Sequence, residues 1–314
     1  MTDFLQFLVS GISLGAIYAL VCLGFVVIYR ATGVINFAQA GLVVVGAFLT
    51  YNASVTWGLK FFGGLAVACV LGALLGILIE RVFLRPLGGQ PLHDILLVTV
   101  GVLLLVEPIV TTIWRPGTTP SSLSTPFHLD PVADWSVRIN KLDVASIVIG
   151  LLVLSAFFAF FKYTRYGVAM RATAVDREAA LMQGINVNVI VAISWGIAGV
   201  VAVLGGALLA AGVGPGVGLG VGISIVALKA LPAMVLGGLD SAGGAVVGGV
   251  LVGVSEVMMT GYQPDIANGT LGRALGMQDW LQSGVAGVLP WVIMLVVLIV
   301  RPFGLFGTRQ VQRL

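Results

Sequence analysis

Five stretches of this chain, residues 4–29, 61–79, 144–161, 189–213 and 285–300, contain no charged side chain. About 20 largely apolar residues in a helix cross the roughly 30 Å of hydrocarbon in a bilayer. The last stretch is slightly short and contains Pro290, which neighbouring helices in a membrane tolerate. Composition points the same way, with 59% hydrophobic and 9% charged residues, about a third of the charge content of a soluble domain. A chain of 314 residues with so few charges cannot cover its own surface in water, so lipid supplies the cover.

Four further stretches are apolar but interrupted. Residues 34–50 hold Asn36 and Gln39, 95–114 hold Glu107-Pro108, 221–239 hold Lys229 and Pro232, and 242–259 carry Glu256 near one end. The expected fold is all-α: a polytopic transmembrane helical bundle forming a single permease domain, 1–314, with about nine membrane segments. The second, seventh and eighth of these are candidates for broken or re-entrant helices. Met1-Thr2-Asp3 lacks the cations of a signal peptide and the apolar run after it is too long for one, so the first span is expected to stay attached.

Orientation follows from the cations in short loops. With the N-terminus outside, Arg30, Arg81, Arg85, Lys162, Arg165, Arg171, Arg177, Arg301, Arg309 and Arg313 fall inside, while Lys60, Arg115, Arg138, Lys141 and Arg273 fall outside. That two-to-one bias predicts an N-terminus outside and a C-terminus in the cytoplasm. Residues 115–143, with Pro116, Pro120, Pro126 and Pro131, then form an external loop, and 162–187 a cytoplasmic one. The formal charge of +3 carries no signal for nucleic acid.

Glycine is abundant, with 43 residues, as expected where helices associate by close backbone approach rather than by a hydrophobic force. Gly11 and Gly15, Gly72 and Gly76, Gly244 and Gly248, and Gly249 and Gly253 show the small-xxx-small spacing. Catalytic chemistry is not indicated. Cys22 and Cys69 both lie in apolar stretches, where buried thiols are expected, and offer neither a disulfide framework nor a metal site. His93 and His128 read as loop residues, and no paired-carboxylate, Ser-His-Asp or metal-spaced cluster stands out. No Gly-Lys pair occurs, so there is no nucleotide-binding Walker A loop, and the glycine run 212–222 reads as a bend or packing segment.

Within the cytoplasmic loop, Thr173-Ala174-Val175-Asp176 matches a capping box, with Thr173 as N-cap and Asp176 at N3. A helix is predicted over 174–183, ended by Gly184 as a left-handed cap. Val175, Ala179 and Met182 would form one apolar stripe. Ten residues are marginal as an isolated helix, so the stripe needs a surface: the protein's own membrane face or a separate cytoplasmic subunit.

Glu178-Ala179-Ala180, three residues, then Gly184 resembles the opening of the loop that couples ATP-binding cassette importer permeases to their ATPases. Ser194 stands where the later consensus has isoleucine. Four stretches resemble the branched-chain amino acid permease family of the LivH type: Ile35-Asn36-Phe37-Ala38-Gln39, Glu80-Arg81-Val82-Phe83-Leu84-Arg85-Pro86-Leu87, Leu236-Gly237-Gly238-Leu239-Asp240-Ser241, and Arg301-Pro302-Phe303-Gly304-Leu305-Phe306-Gly307. Arg171-Ala172 through Gly184-Ile185-Asn186 adds a fifth, and together they cover nearly the whole chain. Ala40 and Asp240 depart from the glycines usual in the family.

The resemblance implies a permease of a bacterial plasma-membrane importer that alternates between outward and inward openings. Its expected partners are a second, LivM-type permease, two ATP-binding subunits of LivG and LivF type, an external solute-binding protein and membrane lipid. ATP and Mg would be bound by the ATPases, with no cofactor in this chain. Branched-chain amino acids are the commonest cargo of the family, whose relatives also carry urea, amides, other amino acids or aromatic acids. Thr173, Val175, Asp176, Glu178, Ala179, Met182 and Gly184 would serve ATPase coupling.

Polar groups inside a bilayer usually face a bundle interior or a watery cavity. Asn36, Gln39, Lys229 and Glu256 are therefore candidates for a translocation path. Asn36 and Gln39 could present amides to a solute from one helix face, or satisfy free backbone groups at a helix break. Lys229 could meet Glu256 across an antiparallel pair, or snorkel toward the head groups. Glu107 is expected at an interface, and Glu80 and Arg81 at a cytoplasmic membrane edge. The competing class is a secondary carrier or channel without ATPases, which has no need of a capped cytoplasmic helix; a membrane enzyme is a more distant alternative.

Overall fold

The computed structural model describes residues 2–115, 122–127, 131, 139–213, 218–269 and 284–307. His128, Pro116, Pro120, Arg138, Arg273, Arg309 and Arg313 lie outside that set. Among the described residues, seven helical stretches are long and apolar enough to cross a membrane, and two shorter apolar segments, Ile223–Gly237 and Val285–Val300, accompany them. These nine correspond one for one to the nine segments expected.

The centre of the bundle is α1 (Thr2–Thr32), apolar on every face and buried on every face from Ser13 to Ile28, as a helix hydrophobic all round should be. Around it stand α2 (Ala38–Tyr51), α5 (Lys141–Tyr163), α8 (Val187–Ala210) and α11 (Ala242–Asn268), with α3 (Lys60–Ile79) packed on α2 and α8, and α4 (Leu92–Trp114) on α2. The outward faces of α3, α4 and α5 expose Phe62, Leu74, Leu97, Leu104 and Leu152, the surface that lipid would wet. Two short helices, α6 (Arg165–Val175) and α7 (Arg177–Met182), link α5 to α8, and α12 (Val285–Val300) packs on α11 and on α10 (Ala230–Gly237). His93 stands in the first turn of α4 beside Asp94, not in a loop.

Every glycine pair singled out by spacing lies at a helix contact. A Cβ on Gly11 would sit 2.7 Å from the Val254 backbone and one on Gly15 2.6 Å from Val250, while Gly249 and Gly253 of α11 meet Ala19 and Gly15 in return. Gly72 and Gly76 of α3 meet the Gly199 and Trp195 backbones of α8, and Gly244 and Gly248 meet Gly237 and Ala233 of α10. Close approach of this kind replaces the hydrophobic force that helices in lipid lack.

The seventh segment is broken, as expected. It comprises α9 (Ile223–Leu228) and α10, which meet at Lys229. Pro232 has no N–H to give the Leu228 carbonyl, so the helix ladder is interrupted there. The second segment is also irregular: α2 begins only at Ala38 and ends in a π-turn at Asn52–Thr56. The eighth is continuous instead. α11 runs on through Pro264, beside which Gly261 and Tyr262 pack on Phe7 of α1.

Candidate translocation path and coupling loop

Glu256 of α11 is 4% exposed and receives two side chains. The Tyr18 hydroxyl of α1 donates to its Oε2 at 2.7 Å, and the Lys229 ammonium forms an ion pair with its Oε1. Lys229 therefore pairs with Glu256 and does not snorkel. The break at Lys229 places this side chain beside α11 and the first turn of α12, where its Nζ stands 3.9 Å from the Cβ position of Gly287. One helix turn away, the Cys22 thiol of α1 donates to the Ala230 carbonyl at 3.0 Å. Tyr18 completes the charge network, yet the sequence does not single it out, because one hydroxyl in a long apolar run looks like any buried aromatic.

Asn36 and Gln39 stand in a separate wall, between α1, α2 and α8. Asn36 precedes α2, so the two do not share a helix face. The Asn36 Oδ1 accepts from the Ala38 N–H at 3.0 Å, and the Gln39 amide donates to the Ala198 carbonyl at 3.1 Å. Gly24 of α1 leaves room for the carboxamide; a Cβ there would lie 2.7 Å from the Gln39 Cδ. Thr99 of α4 accepts from the Phe37 N–H and steadies the turn. Asn36 thus satisfies a backbone group at the break, while Gln39 ties α2 to the middle of α8. Each also keeps one atom, Asn36 Nδ2 and Gln39 Oε1, buried without a hydrogen-bond partner among the described residues.

The linking loop differs from the capping-box reading. Thr173 is in the last turn of α6, 7% exposed, and its hydroxyl bonds back to the Ala169 and Met170 carbonyls. The cap is Asp176, with extended backbone (φ −152°, ψ 109°) and Oδ1 accepting from the Ala179 N–H at 2.9 Å. The single helix over 174–183 is thus two helices. Thr-x-x-Asp offers two capping residues three apart, and packing of Met170 and Thr173 against the bundle holds the first inside α6. Thr164 caps α6 in the same way, accepting from the Gly167 N–H. Gly184 does end the turn, with φ +78°.

The break also splits the expected stripe. Val175 lies on α6 and Met182 on α7, and they are 89% and 88% exposed, the highest values among the large apolar side chains described. Ala180 is the α7 residue that packs inward; Ala179 and Glu178 face out. The stripe does not pack on the protein's own membrane face. Glu80, 2% exposed, holds Arg85 through two hydrogen bonds of 3.2 and 3.0 Å at the end of α3, while Glu107 is exposed on α4.

Two of the sequence motifs turn out to grip each other. The Leu305 and Phe306 N–H groups donate to the Leu236 and Gly237 carbonyls at 2.8 and 3.1 Å, satisfying the open end of α10. Gly238 (φ +106°) and Gly304 (φ +74°) are in the left-handed region, and a Cβ on either would strike the opposite strand of this clasp. Arg30, stacked over the Phe161 ring, donates to the Asp240 carbonyl at 2.7 Å, and the Ser241 hydroxyl caps α11.

Comparison with known proteins covers nearly the whole chain. The high-affinity branched-chain amino acid transport system permease protein LivH of Salmonella typhimurium is 27% identical over 99% of this chain and 97% of its own length. BraD of Pseudomonas aeruginosa, a high-affinity branched-chain amino acid transport system permease protein, is 28% identical over 99% and 98%. The probable branched-chain amino acid transport permease protein LivH of Methanocaldococcus jannaschii is 27% identical over 94% and 90%. A solved structure, PsaBC from Streptococcus pneumoniae in complex with Fab, aligns with a TM-score of 0.40 at 16% identity, covering 96% of this chain and 91% of that one, too loose a likeness to carry inference. The family described as branched-chain amino acid transport system, permease component, matches residues 7–298, and this chain belongs to it.

Proposed function

We propose that this permease is one membrane subunit of an ATP-binding cassette importer that brings branched-chain amino acids, or solutes of similar size and charge, inward across a bacterial plasma membrane. Family membership supports the transport role. The observation that carries the coupling role is the bare loop between α5 and α8, whose Val175 and Met182 project 89% and 88% exposed. Two apolar side chains held out on capped helices are what a groove in a partner subunit would accept. In this reading the N-terminus is outside and the loop cytoplasmic.

The loop meets two ATP-binding subunits of LivG and LivF type, which bind ATP and Mg. A LivM-type permease completes the membrane part, and an external binding protein delivers solute. Closure of the ATPases pushes on α7; α6, packed on α5 and α1, passes the movement to the bundle, which alternates between outward and inward openings.

The test is purification of the complete transporter carrying Val175→Asp with Met182→Asp, followed by ATPase and uptake assays in liposomes. The variant should lose solute-stimulated ATP hydrolysis and ATP-driven uptake by at least tenfold while the permease keeps its thermal stability, because neither side chain packs inside the chain. Undiminished uptake would overturn the coupling role.

A further inference from the structure

At the end of the bundle opposite α6 and α7, the first turns of α1 and α5 meet the end of α8 and the C-terminal half of α11 around a cavity of about 270 Å³. One wall holds an acid that the sequence does not single out. Asp143, the third residue of α5, is 7% exposed. The buried Ser13 hydroxyl and the Asn140 backbone lie near its carboxylate, and that hydroxyl has no hydrogen-bond partner among the described residues. Among the described residues no basic side chain forms an ion pair with it.

A carboxylate has about four lone-pair positions, more than these two neighbours can fill. Asp143 occupies the N3 position of α5, from which a capping box reaches back to the N-cap N–H, and the N-terminal end of a helix favours negative charge. Capping alone does not account for the burial, since an exposed acid caps equally well and a buried one without a cation is costly. The remaining lone pairs adjoin a cavity.

The rest of the lining is of two kinds. Gln6, Ser10, Asn140 and Thr260 bring polar groups near the acid, and Phe7, Val213 and Val257 form an apolar side. The volume admits one small molecule, several times the roughly 30 Å³ of a water. An ammonium group would complete the carboxylate through charge-assisted hydrogen bonds. A solute presenting only a carboxylate would face Asp143 with like charge.

We propose that this cavity is a binding site for a small aliphatic ammonium compound, held by Asp143 at its charged end and by Phe7, Val213 and Val257 along its tail. The amides of Gln6 and Asn140 could receive a carboxylate on the same molecule, which makes a zwitterionic aliphatic amino acid the best match. A role for the site in import rests on the importer reading; the binding itself does not.

The experiment uses the full chain in lipid nanodiscs and three probes of common shape: L-leucine, 3-methylbutylamine and 4-methylpentanoate. L-leucine and the amine should bind saturably and compete for one site per chain, and the acid should displace neither. Asp143→Asn should weaken amine binding at least tenfold, Asp143→Glu should recover part of it, and Val213→Trp should remove it by filling the cavity with the acid intact. If Asp143→Asn fails to purify as a folded chain, Val213→Trp alone decides. No saturable amine binding to the unaltered chain, displacement by the acid as effective as by the amine, or equal affinity in Val213→Trp would each overturn the proposal. Because the measurement needs no ATPase, loss of binding would leave the importer reading standing, and loss of ATP-driven uptake would leave the site standing.

Discussion

Glu256 is held between a phenol and an ammonium, and that arrangement decides what each partner contributes. A buried carboxylate is tolerable only when its charge is compensated and its lone pairs are filled; Lys229 supplies the charge and Tyr18 a second donor. Lys229→Met leaves the acid with Tyr18 alone and should cost about 3–5 kcal/mol, the usual loss when one member of a buried pair is removed. Lys229→Met combined with Glu256→Gln removes the charge, keeps an acceptor for Tyr18, and should regain most of that loss. Thermal unfolding of the unaltered chain, Lys229→Met, Glu256→Gln and the double variant would measure the coupling. A double variant no more stable than Lys229→Met would show that the pair is not the stabilising unit. Lys229 and Glu256 were legible as oddities in apolar runs, and their pairing stood as one of two readings beside snorkelling; a separation of 27 positions with a helix break left the choice to the tertiary structure.

Among the elements, the α1–α11 pairing is the most extensive, and Gly11 and Gly15 on one helix and Gly249 and Gly253 on the other let two backbones touch. Gly15→Leu or Gly253→Leu would drive a side chain into backbone and should destabilise by about 3 kcal/mol or more, at the upper end of overpacking costs. Gly101→Ala on α4, where a Cβ would meet nothing within 4 Å, should be neutral or stabilise by up to about 1 kcal/mol through helix propensity. Equal losses in both positions, read by thermal unfolding in one detergent, would count against close packing as the reason for glycine. Spacing found these pairs correctly, while the loop helices were misjudged: Thr173 and Asp176 are equally good caps on local grounds, and only burial of Met170 and Thr173 shows which one the chain uses.

For the whole molecule, the clasp between residues 236–241 and 301–307 joins α10 to the segment that follows α12. Arg30 ties α1 to the same place through the Asp240 carbonyl. Gly238→Val cannot keep φ +106° without strain and would also strike Gly307. It should release the Leu305 and Phe306 amides, seen as a gain of at least tenfold in their hydrogen exchange, with the α1–α11 core still protected. Unchanged exchange at both amides would show that the glycine is not needed for closure. In the sequence these two stretches were recognisable only as marks of a family, since nothing local says that they touch.

What the sequence by itself determined is whatever follows from local chemistry repeated along one segment: the nine apolar segments, the break near Pro232, the glycines at helix contacts and the left-handed turn at Gly184 all answer to lipid or to backbone sterics. The tertiary structure decided what depends on the approach of distant segments. It paired Lys229 with Glu256 and Tyr18, chose Asp176 over Thr173 as cap, and set Asp143 against a cavity walled by four helices. The reason is physical: burial and electrostatic compensation are properties of a place in three dimensions, and a residue acquires them only from neighbours that its own segment does not contain.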